Sequence, residues 1–201
     1  MAYASWATSS KTSGSGNDTV SWTGSNHTGR SSRTTTATFS ASGVESKTLT
    51  IIQAGLAEFV SIDATASVSQ SGGSVTITGT SNSSKLTFAI TGTDNIGLTL
   101  PSTYTANSVS TNNGTAITGD PGATQQYAFS ITFSNIAENT SVSSLVSQIT
   151  VTANNATSAT CEITQAAGDA YLTISPTTIN LTAAGTAVNV SVSSNTSWTI
   201  S

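Results

Sequence analysis

Few side chains in this sequence are of the kinds that do chemistry, and their spacing limits what they can do. His27 is the single histidine, in the turn-like run Asn26-His27-Thr28-Gly29, so a two-histidine zinc site is excluded. No serine lies in the strand, elbow and helix context that a Ser-His-Asp hydrolase needs. Glycoside hydrolysis requires two acids placed across a groove, and Asp94, Asp120 and Glu138 show no such pairing along the chain. Asp63, Asp94 or Asp120 could hold calcium with neighbouring carbonyls, but the spacing of an EF-hand-type loop is absent. The glycine runs lack the lysine and following helix of a phosphate loop. Cys161, the single cysteine, has no partner for an internal disulfide and falls on the apolar side of an alternating stretch, the place of a small core residue. The expectation is a protein without catalytic residues, metal or cofactor.

Binding remains. Sugar rings stack on exposed aromatic platforms beside amides and carboxylates. Trp6, Trp22 and Trp198 are candidates, but Trp22 and Trp198 sit at strand spacing and read as core. Tyr104 and Tyr127 flank a long segment without strand pattern and are expected to be exposed. These tyrosines, with Asp94 and Asp120, are the candidate ligand or partner contacts.

Charge narrows the partner classes. The net charge is −4 with five basic residues, of which only Arg30 and Arg33 are close together, so the clustered cations that neutralise phosphates are missing and nucleic acid is not expected. No stretch approaches the ~20 apolar residues of a membrane span. The start, Met-Ala-Tyr-Ala-Ser-Trp, has neither the basic region nor the apolar run of a secretory signal. With Met1 as the natural start, synthesis in the cytoplasm without export by a signal is expected.

Apolar residues make up 36% of the 201 residues and charged residues only 7%, against roughly 25% charged in ordinary globular chains. Ser, Thr, Asn, Gly and Val fill the difference and suit strands and turns. The clearest strand is Thr48 to Gly55, TLTIIQAG, which returns as TCEITQAAG at Thr160 to Gly168. Leu49, Ile51 and Gln53 alternate with polar residues, as do Cys161, Ile163 and Gln165, the period of a strand with one buried face. Repeats of this kind decide architecture.

Residues 1–56 read as four strands, Tyr3 to Thr8, Thr19 to Thr23, Thr34 to Ala41 and Lys47 to Gln53, with Ser13 to Asp18 as a turn. Residues 57–168 form a longer unit, with strands at Phe59 to Ile62, Val75 to Thr78 and Leu86 to Ile90 and a turn at Ser71-Gly72-Gly73. Its Tyr127 to Asn135 matches Thr19 to Asn26, and its Ser147 to Ala153 matches Thr36 to Ala41. The main addition is the long loop 91–126, which is either a small hairpin or a contact surface. Residues 169–201 repeat only the front of that unit: Tyr171, Ile174, Val188, Val190, Asn195 and Trp198 fall on Phe59, Ile62, Val75, Ile77, Asn82 and Leu86. The chain thus begins and ends in mid-unit. The last strands are expected either to complete the first unit, within one chain or between neighbouring copies, or to open a further whole unit of a longer protein.

Tyr171 to Pro176, Gly185, Val188 to Val192, Ser194 to Trp198 and the closing Lys47 to Gly55 together resemble BACON domains, the immunoglobulin-like β-sandwiches of Bacteroidetes and of the crAss-like phages that infect them. The resemblance covers nearly all of the chain outside 91–126 and implies an all-β chain of tandem immunoglobulin-like antiparallel β-sandwich domains. An arginine often precedes the penultimate strand of the family; Arg33 fits in the first unit, and Leu145 stands there in the second. The family's proposed carbohydrate or mucin binding has no residue signature to carry over. Two functions follow from the resemblance. One is a structural virion protein, an auxiliary or decoration protein on the capsid exterior or a head-fibre component, whose partners are the major capsid protein or neighbouring copies of itself. The other is a carbohydrate- or mucin-binding adhesin module of a Bacteroidetes surface protein. The lack of a signal favours the first.

Overall fold

Ser, Thr and Val at alternating positions build strands throughout, and the computed structural model describes residues 3–155 and 157–201. Met1, on which the expectation about the start rests, lies outside them. No described residue is in a helix. The first part of the chain, the head, holds β1 (Ala7–Ser9), β2 (Trp22–Gly24), β3 (Arg33–Phe39) and β4 (Lys47–Gln53). The middle holds β5 (Val60–Ile62), β6 (Thr65–Val68), β7 (Gly73–Ser81), β8 (Leu86–Thr91), β9 (Thr103–Ala106), β10 (Val109–Asn112), β11 (Tyr127–Ile136), β12 (Leu145–Ala153) and β13 (Ser158–Gln165). The tail holds β14 (Leu172–Ser175) and β15 (Ser191–Ser194).

The middle is a two-sheet, sandwich-like body. One sheet has the order β10-β9-β11-β7-β5, the other β6-β13-β12-β8. Pairing is antiparallel except where β6 runs parallel to β13. Inward residues from both sheets, among them Ile77, Phe129, Ile131 and Phe133 on one side and Leu86, Phe88, Ile149, Val151, Cys161 and Ile163 on the other, form one core. Period-2 alternation therefore reads the burial correctly here, Cys161 included. Gly72 and Gly73, both at positive φ, make the β6–β7 turn where the sequence places it. Gly79 is required for close approach: a Cβ there would lie 2.2 Å from the Ser61 carbonyl oxygen and 2.3 Å from the Phe129 ring. Gly79→Ala is expected to destabilise the protein by about 1–3 kcal/mol, as overpacking does, measured by urea unfolding; an unchanged midpoint would show that the Phe129 ring swings aside freely.

Segment 91–126 differs from the long loop expected. It contributes the β9–β10 hairpin to the edge of the larger sheet, and Ile96, Leu98, Ile117 and Ala123 are buried. This is the hairpin alternative, with its turn at Asn107 and Ser108, both at positive φ. The expected exposure of Tyr104 and Tyr127 is overturned, because both are inward positions of β9 and β11 and each is 3% exposed. Trp198, read as core, stands half-exposed, since the tail has no second sheet to pack against. β6 had no expected counterpart, and β1 and β2 begin three to four residues later than the sequence pattern suggests.

The repeat is visible in pairing register. β3 pairs β4 with Arg33 opposite Gln53 and Ala37 opposite Leu49; β12 pairs β13 with Leu145 opposite Gln165 and Ile149 opposite Cys161. Each of these residues stands 112 positions before its counterpart, as Leu49 does before Cys161. Likewise β14 pairs β15 with Leu172 opposite Ser194, the counterpart of Val60 opposite Ser81 between β5 and β7. Among the described residues β14 and β15 pair only with each other, and β3 and β4 only with each other.

Candidate functional site: the joint between head and middle

Polar side chains buried in the middle of a β structure need partners, and most of those here serve backbone stitching. Gln165, 1% exposed, donates from Nε2 to the Ala137 carbonyl at 2.7 Å; Gln53 at the matching place donates to the Ser25 carbonyl at 2.9 Å. Asn139 donates from Nδ2 to the Ser143 carbonyl, and His27, its counterpart in the head, is 2.7 Å from the Ser31 carbonyl through Nε2. A carbonyl only accepts, so Nε2 carries the proton, and the lone histidine is a loop stitch. A third pair is formed by Asn82 and Asn195. Asn82 accepts from the Phe59 N–H and donates to the Ala57 carbonyl; Asn195 does the same with Tyr171 and Asp169. The hydroxyls of Ser81 and Ser194 donate to the carbonyls of Phe59 and Tyr171.

The charged groups gather elsewhere, at the joint between head and middle. The chain leaves β4 through Gly55, whose absent Cβ would lie 2.0 Å from the Arg30 carbonyl oxygen, and the Leu56 N–H donates to the Gly29 carbonyl at 2.9 Å. That crossing aims Arg30 at the middle. Its guanidinium donates to both oxygens of Asp120, at 2.6 and 2.8 Å, and from Nε and Nη2 to the Asn82 carbonyl. Nε also lies 3.1 Å from Oε1 of Glu58, whose side chain is 4% exposed. The same Oε1 accepts from the Ser84 N–H and hydroxyl, while Oε2 is buried with no partner among the described residues. A bidentate fork of this kind fixes both position and angle.

Of the four candidate contact residues, the structure brings three to this end and leaves one apart. Asp120 is held by Arg30 and by the Gly122 N–H. Tyr127 donates its hydroxyl to the Ser83 carbonyl at 2.7 Å, and burial pushes its pKa up to about 12. Tyr104 packs against Phe88 with 4.9 Å between ring centroids, and burial raises its pKa too. Asp94 lies toward the opposite end, where it caps a turn by accepting from the N–H groups of Gly97 and Leu98 and from the Ser147 hydroxyl. None of the four presents a free ring or carboxylate pair to a sugar. Arg30, Glu58 and Asn82 were not singled out as a group from the sequence; the match of Asn82 to Asn195 is the one signal of the site present there. Arg33, on the position given by the family resemblance, is used locally: it donates to Gln53 Oε1 and the Ser25 carbonyl and lies 4.6 Å over the Trp6 ring.

The Asp120 carboxyl is held below the ordinary carboxylate range because Arg30 hydrogen-bonds its charged form; burial opposes this and the Gly122 N–H adds to it. A depressed native pKa means that the joint is at full strength above the ordinary Asp range, about 3.9, and weakens as pH falls through that value toward the native one. The expected result is an Asp120 carboxyl-carbon NMR titration with its midpoint below about 3.9, shifted upward in Arg30→Ala. An ordinary midpoint would mean that the ion pair is not held in solution.

Among the described residues no group of three or more His, Cys, Asp or Glu side chains is placed to hold a metal ion, and no helix is long and apolar enough to cross a membrane. No protein-family model matches the chain, and no curated protein matches its sequence.

Proposed function

We propose that the chain is a non-enzymatic structural protein built of tandem immunoglobulin-like, BACON-type units, working as an auxiliary or decoration protein on the exterior of a phage capsid or in a head fibre. The observation that carries this reading is where the charged groups of the joint are directed, with one of them, Glu58, buried. Arg30, Glu58 and Asp120 are spent on holding one β unit against the next, which is what a scaffold needs and a ligand site does not. The second joint is made alike: the Gly168 N–H donates to the Ser141 carbonyl as Leu56 does to Gly29, and Asn195 reaches across to the Thr140 carbonyl. The partners proposed are the major capsid protein and neighbouring copies. Cosedimentation of the purified protein with capsids of a crAss-like phage tests the reading: saturable, stoichiometric binding is expected, and no binding at any concentration would end it.

A second reading, a carbohydrate-binding module, is favoured by one feature. The outer face of the larger sheet carries an open hollow of about 580 Å³ lined by hydroxyls of Ser61, Thr78, Thr80, Thr105 and Ser130 and by Asp63. Mucin glycans titrated into the labelled protein would then shift the amides of Thr80 and Thr105, whereas an unperturbed face would leave the scaffold reading alone.

A further inference from the structure

The sequence holds a single Asp-Pro bond, Asp120–Pro121; of the other two prolines, Pro101 follows Leu100 and Pro176 follows Ser175. Such a bond can react with itself. The Asp120 carboxyl closes a five-membered ring when one of its oxygens reaches the Asp120 main-chain carbonyl carbon, so nucleophile and scissile bond are held together in one residue. The Pro121 nitrogen belongs to a tertiary amide, which makes it more basic than the other amide nitrogens and a better acceptor of a proton as it leaves. The bond lies in the loop Gly119-Asp120-Pro121-Gly122, with Asp120 exposed to water.

In the fold this carboxyl is turned away from its own carbonyl carbon. Oδ2 and Oδ1 accept from the Arg30 guanidinium at 2.6 and 2.8 Å, and Oδ1 also accepts from the Gly122 N–H at 3.0 Å. Arg30 is itself fixed on the Asn82 carbonyl and on Glu58. Three more titratable groups belong to the elements packed here: Glu58, paired with the same guanidinium; Tyr127, whose hydroxyl donates to the Ser83 carbonyl; and Lys85, whose backbone bridges Ala116. Among the described residues the side-chain partner of Asp120 is Arg30, so Arg30 sets when Asp120 takes up a proton.

We propose that Asp120–Pro121 is a self-cleavage site at which acid divides the chain, and that the Arg30 fork keeps it closed. Once Asp120 is protonated and leaves the fork, one oxygen of its carboxyl bonds to the Asp120 carbonyl carbon. The carbon–nitrogen bond to Pro121 breaks, and the carboxyl proton goes to the proline nitrogen. Water then opens the cyclic anhydride. One product ends in Asp120 with two carboxyls and the other begins with the Pro121 amine, so the sum is hydrolysis with water as co-reactant. The cut leaves the sandwich assembled, because β11, β12 and β13 lie beyond it and pair with β7, β9, β8 and β6 before it. It frees the loop end that grips Arg30, so the joint between head and middle is what acid releases. This chemistry depends on the joint and not on the capsid or sugar reading.

The test follows fragments 1–120 and 121–201 by denaturing mass spectrometry across a pH series, in the full-length protein and in Arg30→Ala. The folded, unmodified protein is expected to cut slowly and Arg30→Ala several-fold faster. The variant's rate should also rise at higher pH, since its carboxyl takes up a proton near the ordinary value of about 3.9 instead of below it. In urea, where the fork is gone, the two should cut at one rate. Asp120→Glu keeps the charge but needs a six-membered ring, and should cut far more slowly than either. Native mass spectrometry should show the cut chain still together, heavier by one water. Equal rates in the two folded proteins, a faster variant whose pH profile is not displaced, or cutting that persists in Asp120→Glu would overturn the proposal. Amide NMR dispersion of β7 and β12 shows whether Arg30→Ala is folded at each pH. If it is not, the unmodified protein decides alone: it must cut more slowly folded than in urea at the same pH.

Discussion

Phe88→Ala is expected to cost about 3–5 kcal/mol of stability, the range for removing a fully buried phenylalanine. Phe88 is 1% exposed on β8, in the smaller sheet, and its ring meets two rings of the larger sheet: Tyr104 at 4.9 Å and Phe129 at 5.6 Å between centroids. The tilted and edge-on contacts add to the area buried. Truncation removes the central member of this trio and opens a hole between the sheets. The neighbours cannot close it, because Phe88 is pinned through its backbone, with the Asn113 side chain donating to its carbonyl and accepting from its N–H. Urea unfolding followed by near-UV circular dichroism reads the loss. A change below about 1 kcal/mol would mean that the sheets collapse onto the gap, contrary to the usual rigidity of such cores.

Arg30→Ala is expected to destabilise the joint toward the lower end of the roughly 3–5 kcal/mol found when one partner of a buried ion pair is removed. The lower end applies because the Arg30 and Asp120 side chains, 17% and 27% exposed, keep some contact with water. The cost comes mainly from what stays behind. Glu58, 4% exposed, would retain only the two weak donors of Ser84 for one oxygen and none for the other. Adding Glu58→Gln removes the stranded charge, so the double variant should recover part of the loss. Hydrogen exchange at residues 26–33 and 118–123 localises the effect. If Arg30→Ala matches the under about 1 kcal/mol of a surface pair, water reaches Glu58 and the joint is looser than its geometry.

Both effects depend on contacts between residues far apart in the chain, and this marks how far the sequence could be read. Which face of a strand is buried is a local property. Leu49, Ile51 and Gln53 carry it in seven residues, β4 runs over Lys47–Gln53 as the alternation indicates, and Cys161 lies in the core. The repeat is equally legible, since it is a property of spacing, and the registers of β3–β4 and β12–β13 follow it residue by residue. The expected exposure of Tyr104 and Tyr127 fails because the strand around Tyr104 is too short to stand out: β9 alternates over only four residues, Thr-Tyr-Thr-Ala, and its partner β10, Val-Ser-Thr-Asn, has no apolar alternation to extend the signal. Arg30 gave no local signal either, as its acceptors Asn82 and Asp120 are 52 and 90 residues further on.

The all-β character, the strand faces and the repeat are legible in the chain alone, because alternation, turn residues and spacing act over a few positions. The tertiary structure alone decided which apolar faces are covered. Val75 and Val188 have the same local pattern, yet one is held in a strand within the core and the other is exposed outside any strand. The difference is the presence of β11 beside the first, a partner that arrives from more than fifty residues away, and burial is a property of the pair.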